Sequence, residues 1–139
     1  MHSVSLQRFV ILLHQVPEPF QRPAGQHLIA GQPVVCGKSH WDWMFEDGQH
    51  LLTWACETEP CLGFSAACEK LGDHRLDYLS YEGDISENRG FVQQVSCGEF
   101  QLLEFDANRL IVQLFGEWSG RLTISWVTGT RWTLQHQIK

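Results

Sequence analysis

Arg121-Leu122-Thr123-Ile124-Ser125-Trp126-Val127 alternates apolar and polar side chains without a break. A strand sends successive side chains to opposite faces, so Leu122, Ile124 and Trp126 share one face and Arg121, Thr123 and Ser125 the other. Thr128-Gly129-Thr130 then reads as a turn, and Trp132 to His136 resumes the alternation, which makes a hairpin. Working back, Arg109 to Phe115 follows an Asp106-Ala107-Asn108 turn and places Leu110, Val112 and Leu114 on one face. Phe91 to Val95 and Glu99 to Phe105 flank Ser96-Cys97-Gly98, a connection expected to form another hairpin. Trp41 to Phe45 and Leu51 to Ala55 flank Glu46-Asp47-Gly48-Gln49, and Arg8 to Leu13 is an apolar, β-rich run. Phe64 to Leu71 alone reads as a short helical turn.

Evenly spaced strands of this kind, about eight in number, predict an all-β fold. An antiparallel barrel or sandwich fits the pattern, and a small antiparallel β-barrel is favoured because no strand carries edge protection. At most one short helix is expected. The chain of 139 residues is read as a single domain, 1–139, with a long N-terminal loop insertion at 17–38 whose 17–33 stretch is proline-rich.

Apolar residues at 43% and charged residues at 19% exclude disorder, collagen and coiled coil. No apolar run approaches the ~18 residues of a membrane span, so no membrane role is expected. Met1 to His14 lacks the basic start and small-residue cleavage site of a signal peptide. The five cysteines, an odd count, are read as reduced thiols in a cytoplasmic protein. A net charge of −6 argues against a broad grip on nucleic-acid phosphates, but is compatible with a metal-centred site that engages only a strand end.

The sharpest local feature is Ser39-His40-Trp41-Asp42-Trp43. On a strand, His40 and Asp42 face together while Trp41, Trp43 and Phe45 face the opposite, buried side. An imidazole beside a carboxylate suits Mn²⁺ or Zn²⁺, with His14 as a third ligand if the barrel brings it alongside. A structural hydrogen-bonded pair is the other reading of His40 and Asp42. A second cluster, Asp73-His74-Arg75-Leu76-Asp77-Tyr78 with Tyr81-Glu82-Gly83, gathers a candidate general acid, a phenol and a carboxylate beside Arg75, or is an ordinary polar loop. Cys56, Cys61 and Cys68 lack the paired spacing of zinc ribbons and read as buried small hydrophobes. Trp54, Trp118, Trp126 and Trp132 read as core or barrel-rim aromatics.

In order along residues 8 to 136, these segments resemble the 3′-phosphoesterase domain of bacterial DNA ligase D and its stand-alone relatives. The matching stretches are Phe9-Val10-Ile11-Leu12-Leu13-His14, His40-Trp41-Asp42-Trp43-Met44-Phe45-Glu46 and Thr53-Trp54-Ala55. They continue with Asp73-His74-Arg75-Leu76-Asp77-Tyr78-Leu79-Ser80-Tyr81-Glu82-Gly83, Gly90-Phe91-Val92 and Gly98-Glu99-Phe100. Ser119-Gly120-Arg121-Leu122 and Trp132-Thr133-Leu134 complete the set.

The resemblance implies a small barrel with a central active site and a Mn²⁺-dependent activity, with Zn²⁺ as the alternative ion. That activity removes a 3′-terminal ribonucleoside and then the 3′-phosphate to leave a ligatable hydroxyl, an end-healing step of DNA repair. His14, His40 and Asp42 would be the metal ligands, and His74 and Tyr78 would contact the scissile phosphate. Arg75 and Arg89, which flank the site, are read as phosphate-binding cations, and Glu82 as a residue orienting a ligand or His74. The implied partners are nucleic-acid 3′ ends, on primer-template or RNA-tipped DNA, and a DNA repair ligase. Two alternatives stand beside this reading: a catalytically weakened barrel acting as a binding module, and a phosphoesterase acting on small nucleotides.

Overall fold

The alternating faces become the two surfaces of one closed sheet. The computed structural model describes residues 6–16, 39–85 and 90–138. Among these residues nine strands run in chain order: β1 (Gln7–Gln15), β2 (His40–Asp47), β3 (His50–Cys56), β4 (Ser65–Arg75), β5 (Gly83–Ile85), β6 (Gly90–Asp106), β7 (Arg109–Gly116), β8 (Gly120–Thr128) and β9 (Arg131–Gln137). A 3-10 turn at Leu76–Leu79 is the only helical element among the described residues. Every pairing is antiparallel, in the order β1-β2-β3-β4-β9-β8-β7-β6, and β1 pairs with β6 to close the ring. The short β5 adds to the start of β6. The fold is therefore a closed eight-stranded antiparallel barrel with one extra strand, as the strand pattern led us to expect. The loop insertion expected at 17–38 lies outside the described residues.

The barrel lumen is filled rather than hollow. Phe9 and Ile11 of β1, Trp43 and Phe45 of β2, Trp54 of β3 and Phe100 of β6 meet Leu110, Val112, Leu114, Leu122, Ile124 and Leu134 from β7, β8 and β9. Aromatic rings meet edge to face, Phe45 against Phe100 at 5.5 Å and Trp43 against Trp118 at 5.3 Å. Fully burying such side chains contributes ~1.5–3 kcal/mol each, which makes this layer the main source of stability. Trp54, Trp118 and Trp132 are buried here, and Trp126 sits exposed at the rim. A second, smaller apolar layer lies on the outer face of the wall, where Val10, Leu12, Met44, Leu51 and Val92 are covered by Leu76, Tyr78, Leu79 and Ile85.

Three local expectations are corrected. Phe64 to Leu71 is not a helical turn but the entry to β4, with Phe64, Ala66 and Cys68 buried in alternation. Its two alanines favour helix weakly, and pairing with both β3 and β9 overrides that preference. Ser96-Cys97-Gly98 is not a hairpin connection but the middle of the 17-residue β6. Gly98 serves close strand approach rather than a turn: a Cβ there would lie 2.6 Å from the Phe115 carbonyl oxygen and 2.9 Å from the Phe9 ring. Cys56 and Cys68 are buried cross-strand partners, whereas Cys61 is exposed, contrary to its reading as a buried hydrophobe. Hydrogen bonding with Cys56, together with burial, pushes the Cys68 thiol well above its ordinary range, which suits an inert filler.

Candidate metal centre

Register places the ligands. β1 and β2 pair so that His14 stands directly opposite His40 and Leu12 opposite Asp42. Directly opposed residues share a face, and Asp42 follows His40 by two positions, so all three side chains project from one side of the wall. That side is the outer one, since Trp41 and Trp43 between and beside them turn into the lumen. Ser39 clamps this end of the pair, its Oγ accepting a hydrogen bond from the Val16 N–H at 3.0 Å.

The ligand atoms of His14, His40 and Asp42 lie within 4.8 Å of one another. His40 Nε2 is 3.2 Å from Asp42 Oδ1, and His14 Nδ1 is 3.9 Å from Asp42 Oδ2. The two imidazoles meet edge to face at 4.8 Å. Bonds of ~2.0–2.2 Å to one ion hold ligand atoms ~3–4 Å apart, so both carboxylate–imidazole separations already suit a shared cation. Only 3% of the His40 side chain and 4% of the Asp42 side chain are exposed, against 20% for His14, so access is from the His14 side.

One atom tests the fit. Asp42 Oδ1 is buried and has no hydrogen-bond partner, although His40 Nε2 is close. A hydrogen-bonded structural pair would align the ring N–H with that oxygen. Here the two atoms lie 3.2 Å apart without that alignment. Leaving a carboxylate oxygen dry and unpaired costs several kcal/mol at the order-of-magnitude level, and a cation relieves that cost. The donor set, two imidazoles and one carboxylate, suits a borderline divalent ion.

The second cluster lies over the same outer face. His74 pairs in register with Leu51 of the outer apolar layer, and Tyr78 packs on that layer from the 3-10 turn. Their rings meet at 5.6 Å, and Tyr78 meets Tyr81 at 5.8 Å. His74 Nδ1 lies 2.9 Å from the Gly72 carbonyl oxygen. A carbonyl only accepts, so Nδ1 carries the proton and Nε2 is left as the ring's outward-reaching nitrogen. Leu12 and Met44, neighbours of Asp42 across and along the wall, belong to the layer on which Tyr78 rests. Glu82 is engaged elsewhere, its Oε2 accepting from the Gln94 N–H at 2.7 Å, so it braces the segment before β5 against β6. Arg75 is exposed at the end of β4, opposite His50. Arg89 lies outside the described residues.

The triad is thus brought together as expected, while the implied central location is not: aromatic side chains fill the lumen, and the site is on the outer wall. Ser39 was legible only as the neighbour of His40, since its clamp on Val16 depends on a strand pairing that no local motif announces. Fold and triad together define a closed β-barrel bearing a candidate divalent-cation site. No family model matches the chain, and no curated protein proves similar to it. The likeness to the ligase D 3′-phosphoesterase domain accordingly rests on the ordered motifs.

Proposed function

We propose that this protein is a divalent-metal-dependent phosphoesterase-like barrel that processes 3′-ribonucleotide or 3′-phosphate ends of nucleic acid, with Mn²⁺ as the ion. The observation that carries the reading is the grouping of the His14, His40 and Asp42 ligand atoms within 4.8 Å of one another on the outer wall, with one buried Asp42 oxygen lacking a hydrogen bond. A bound ion would polarise a phosphoryl oxygen and offset its developing charge. His74, oriented by Gly72 through Nδ1–H, presents an unprotonated Nε2 that would take a proton from the attacking water as its oxygen adds to phosphorus and pass it to the departing 3′-oxygen as that P–O bond breaks. Tyr78, steadied between His74 and Tyr81, offers its hydroxyl to a phosphate oxygen. The −6 charge confines affinity to the end of a strand rather than its length. The motifs of a ligase-associated family support a nucleic-acid end over other phosphoesters.

The test pairs binding with turnover. Mn²⁺ binding is followed by electron paramagnetic resonance, and conversion of a 3′-phosphate primer-template is followed on a gel, each with His40→Ala as control. Binding and turnover that both vanish in the variant support the proposal. Binding without turnover would point instead to a barrel that retains the ion as a binding module, and no binding would overturn the ligand assignment.

A further inference from the structure

A cavity of about 280 Å³ lies on the outer wall beside the triad, bounded by Ala55, Glu57, Thr58, Ala67, Glu69 and Arg131. Strand register ties it to the metal ligands. Leu12, Asp42, Ala55, Glu69 and Arg131 form one continuous cross-strand row over β1, β2, β3, β4 and β9. Asp42 and Glu69 are two strand spacings apart, ~10 Å, which is the reach of a single nucleotide from its phosphate to its base edge.

The lining says what fits. Ala55 and Ala67 project nothing beyond Cβ, leaving a flat floor for a planar ring. Glu57 and Glu69 repel phosphate and accept from N–H donors. The Thr130 hydroxyl donates to Glu69 Oε2 at 3.0 Å and so sets the direction of that carboxylate. Arg131 supplies a planar guanidinium able to stack on a ring or donate to its acceptors. We propose that this cavity is a base subsite for an amino-bearing nucleobase whose phosphate lies at the triad; it rests on the reading of the triad as a phosphate-binding metal centre. Carboxylates accept from the exocyclic amine of cytosine, whereas uracil presents a carbonyl at the same position.

Cytidine and uridine differ only along that edge, a 4-amine beside an unprotonated N3 against a 4-carbonyl beside an N3–H flanked by two carbonyls, and neither has a phosphate to lose. Titrating the full chain with each nucleoside, followed by NMR, is expected to give about tenfold tighter binding of cytidine. Glu69→Gln should bring the ratio to about one, because the amide can turn to meet either base. Ala67→Phe fills the cavity from an exposed position and should abolish nucleoside binding while leaving Mn²⁺ binding, read separately by paramagnetic resonance, unchanged. Equal binding of the two nucleosides, binding unaffected by Ala67→Phe, or no binding of either overturns the subsite, whatever the metal does. A cytidine preference that depends on Glu69 in a chain that binds no Mn²⁺ supports the subsite and removes the metal reading instead.

Discussion

Asp42→Asn separates a metal centre from a structural charge network by the sign of its effect. The substitution keeps shape and removes the charge. In a metal centre the ion-free protein holds a dry carboxylate oxygen with no hydrogen bond, at a cost of several kcal/mol, so neutralising it should leave stability in EDTA unchanged or raise it. Mn²⁺ at a hundredfold over its dissociation constant should stabilise the parent protein by about 2.7 kcal/mol through mass action. For a domain of this size that is a rise in melting midpoint of ~10 °C, and Asp42→Asn should erase it. If instead Asp42 were held as the charged partner of His40 and His14 at 3.2 and 3.9 Å, its loss would leave a broken buried pair. That costs about 3–5 kcal/mol in EDTA. Thermal and urea melts monitored by tryptophan fluorescence, each run in EDTA and in Mn²⁺, read both quantities. A variant that loses more than ~3 kcal/mol in EDTA, with the parent indifferent to Mn²⁺, would refute the argument.

Gly98→Ala should cost about 1–3 kcal/mol in urea melts, because its methyl meets the Phe115 carbonyl at 2.6 Å and the Phe9 ring where β1, β6 and β7 converge. His136 accepts from the Gly63 N–H at 2.9 Å through Nδ1 and donates to the Ser119 carbonyl through Nε2, joining two loops to β9. His136→Ala strands both backbone groups, at about 1–3 kcal/mol each, and should blunt the near-ultraviolet signal of the adjacent Trp118. Hydrogen bonding to Arg8 holds the Glu46 carboxyl below its ordinary range, against a smaller opposing effect of burial. The stability this contributes is present above the ordinary carboxylate range and is lost as pH falls through the lowered value, so Arg8→Gln should flatten that part of a low-salt acid titration of the urea midpoint.

The strands whose faces differ most in polarity were the most legible. Arg121 to Val127 and Arg109 to Phe115 each set β-branched or aromatic side chains against polar ones, and β8 and β7 lie there. Ala66 and Ala67 carry too little bulk to mark a lumen face, so β4 emerged only through its pairing with β3 and β9. Gly98 misled because a glycine needed for close strand approach and one needed for a turn are the same letter in sequence. His40 and Asp42 were legible because two positions on one strand suffice to make them neighbours. His14 needed the β1–β2 register, so the sequence offered it only on the condition that the barrel bring it alongside. The row from Asp42 through Ala55 to Glu69 and Arg131 draws on four strands and had no sequence signal at all.

The position of the triad follows from the size of the barrel. Eight strands enclose a space that side chains alone can fill, and here Trp43, Trp54, Phe45 and Phe100 fill it. A cation with a phosphate-bearing ligand cannot share that volume, and the candidate cation site lies on the outer wall instead. There, an isolated His–His–Asp set would be screened by water and weakly held. The outer apolar layer under Leu76, Tyr78, Leu79 and Ile85 changes this, because Leu12 and Met44 extend it to the edge of Asp42. The same segment that dries the wall also carries Tyr78 and begins at His74. On the proposed reading, drying the wall beside the ligands and presenting His74 and Tyr78 are therefore one structural act, performed by the chain from the end of β4 to β5.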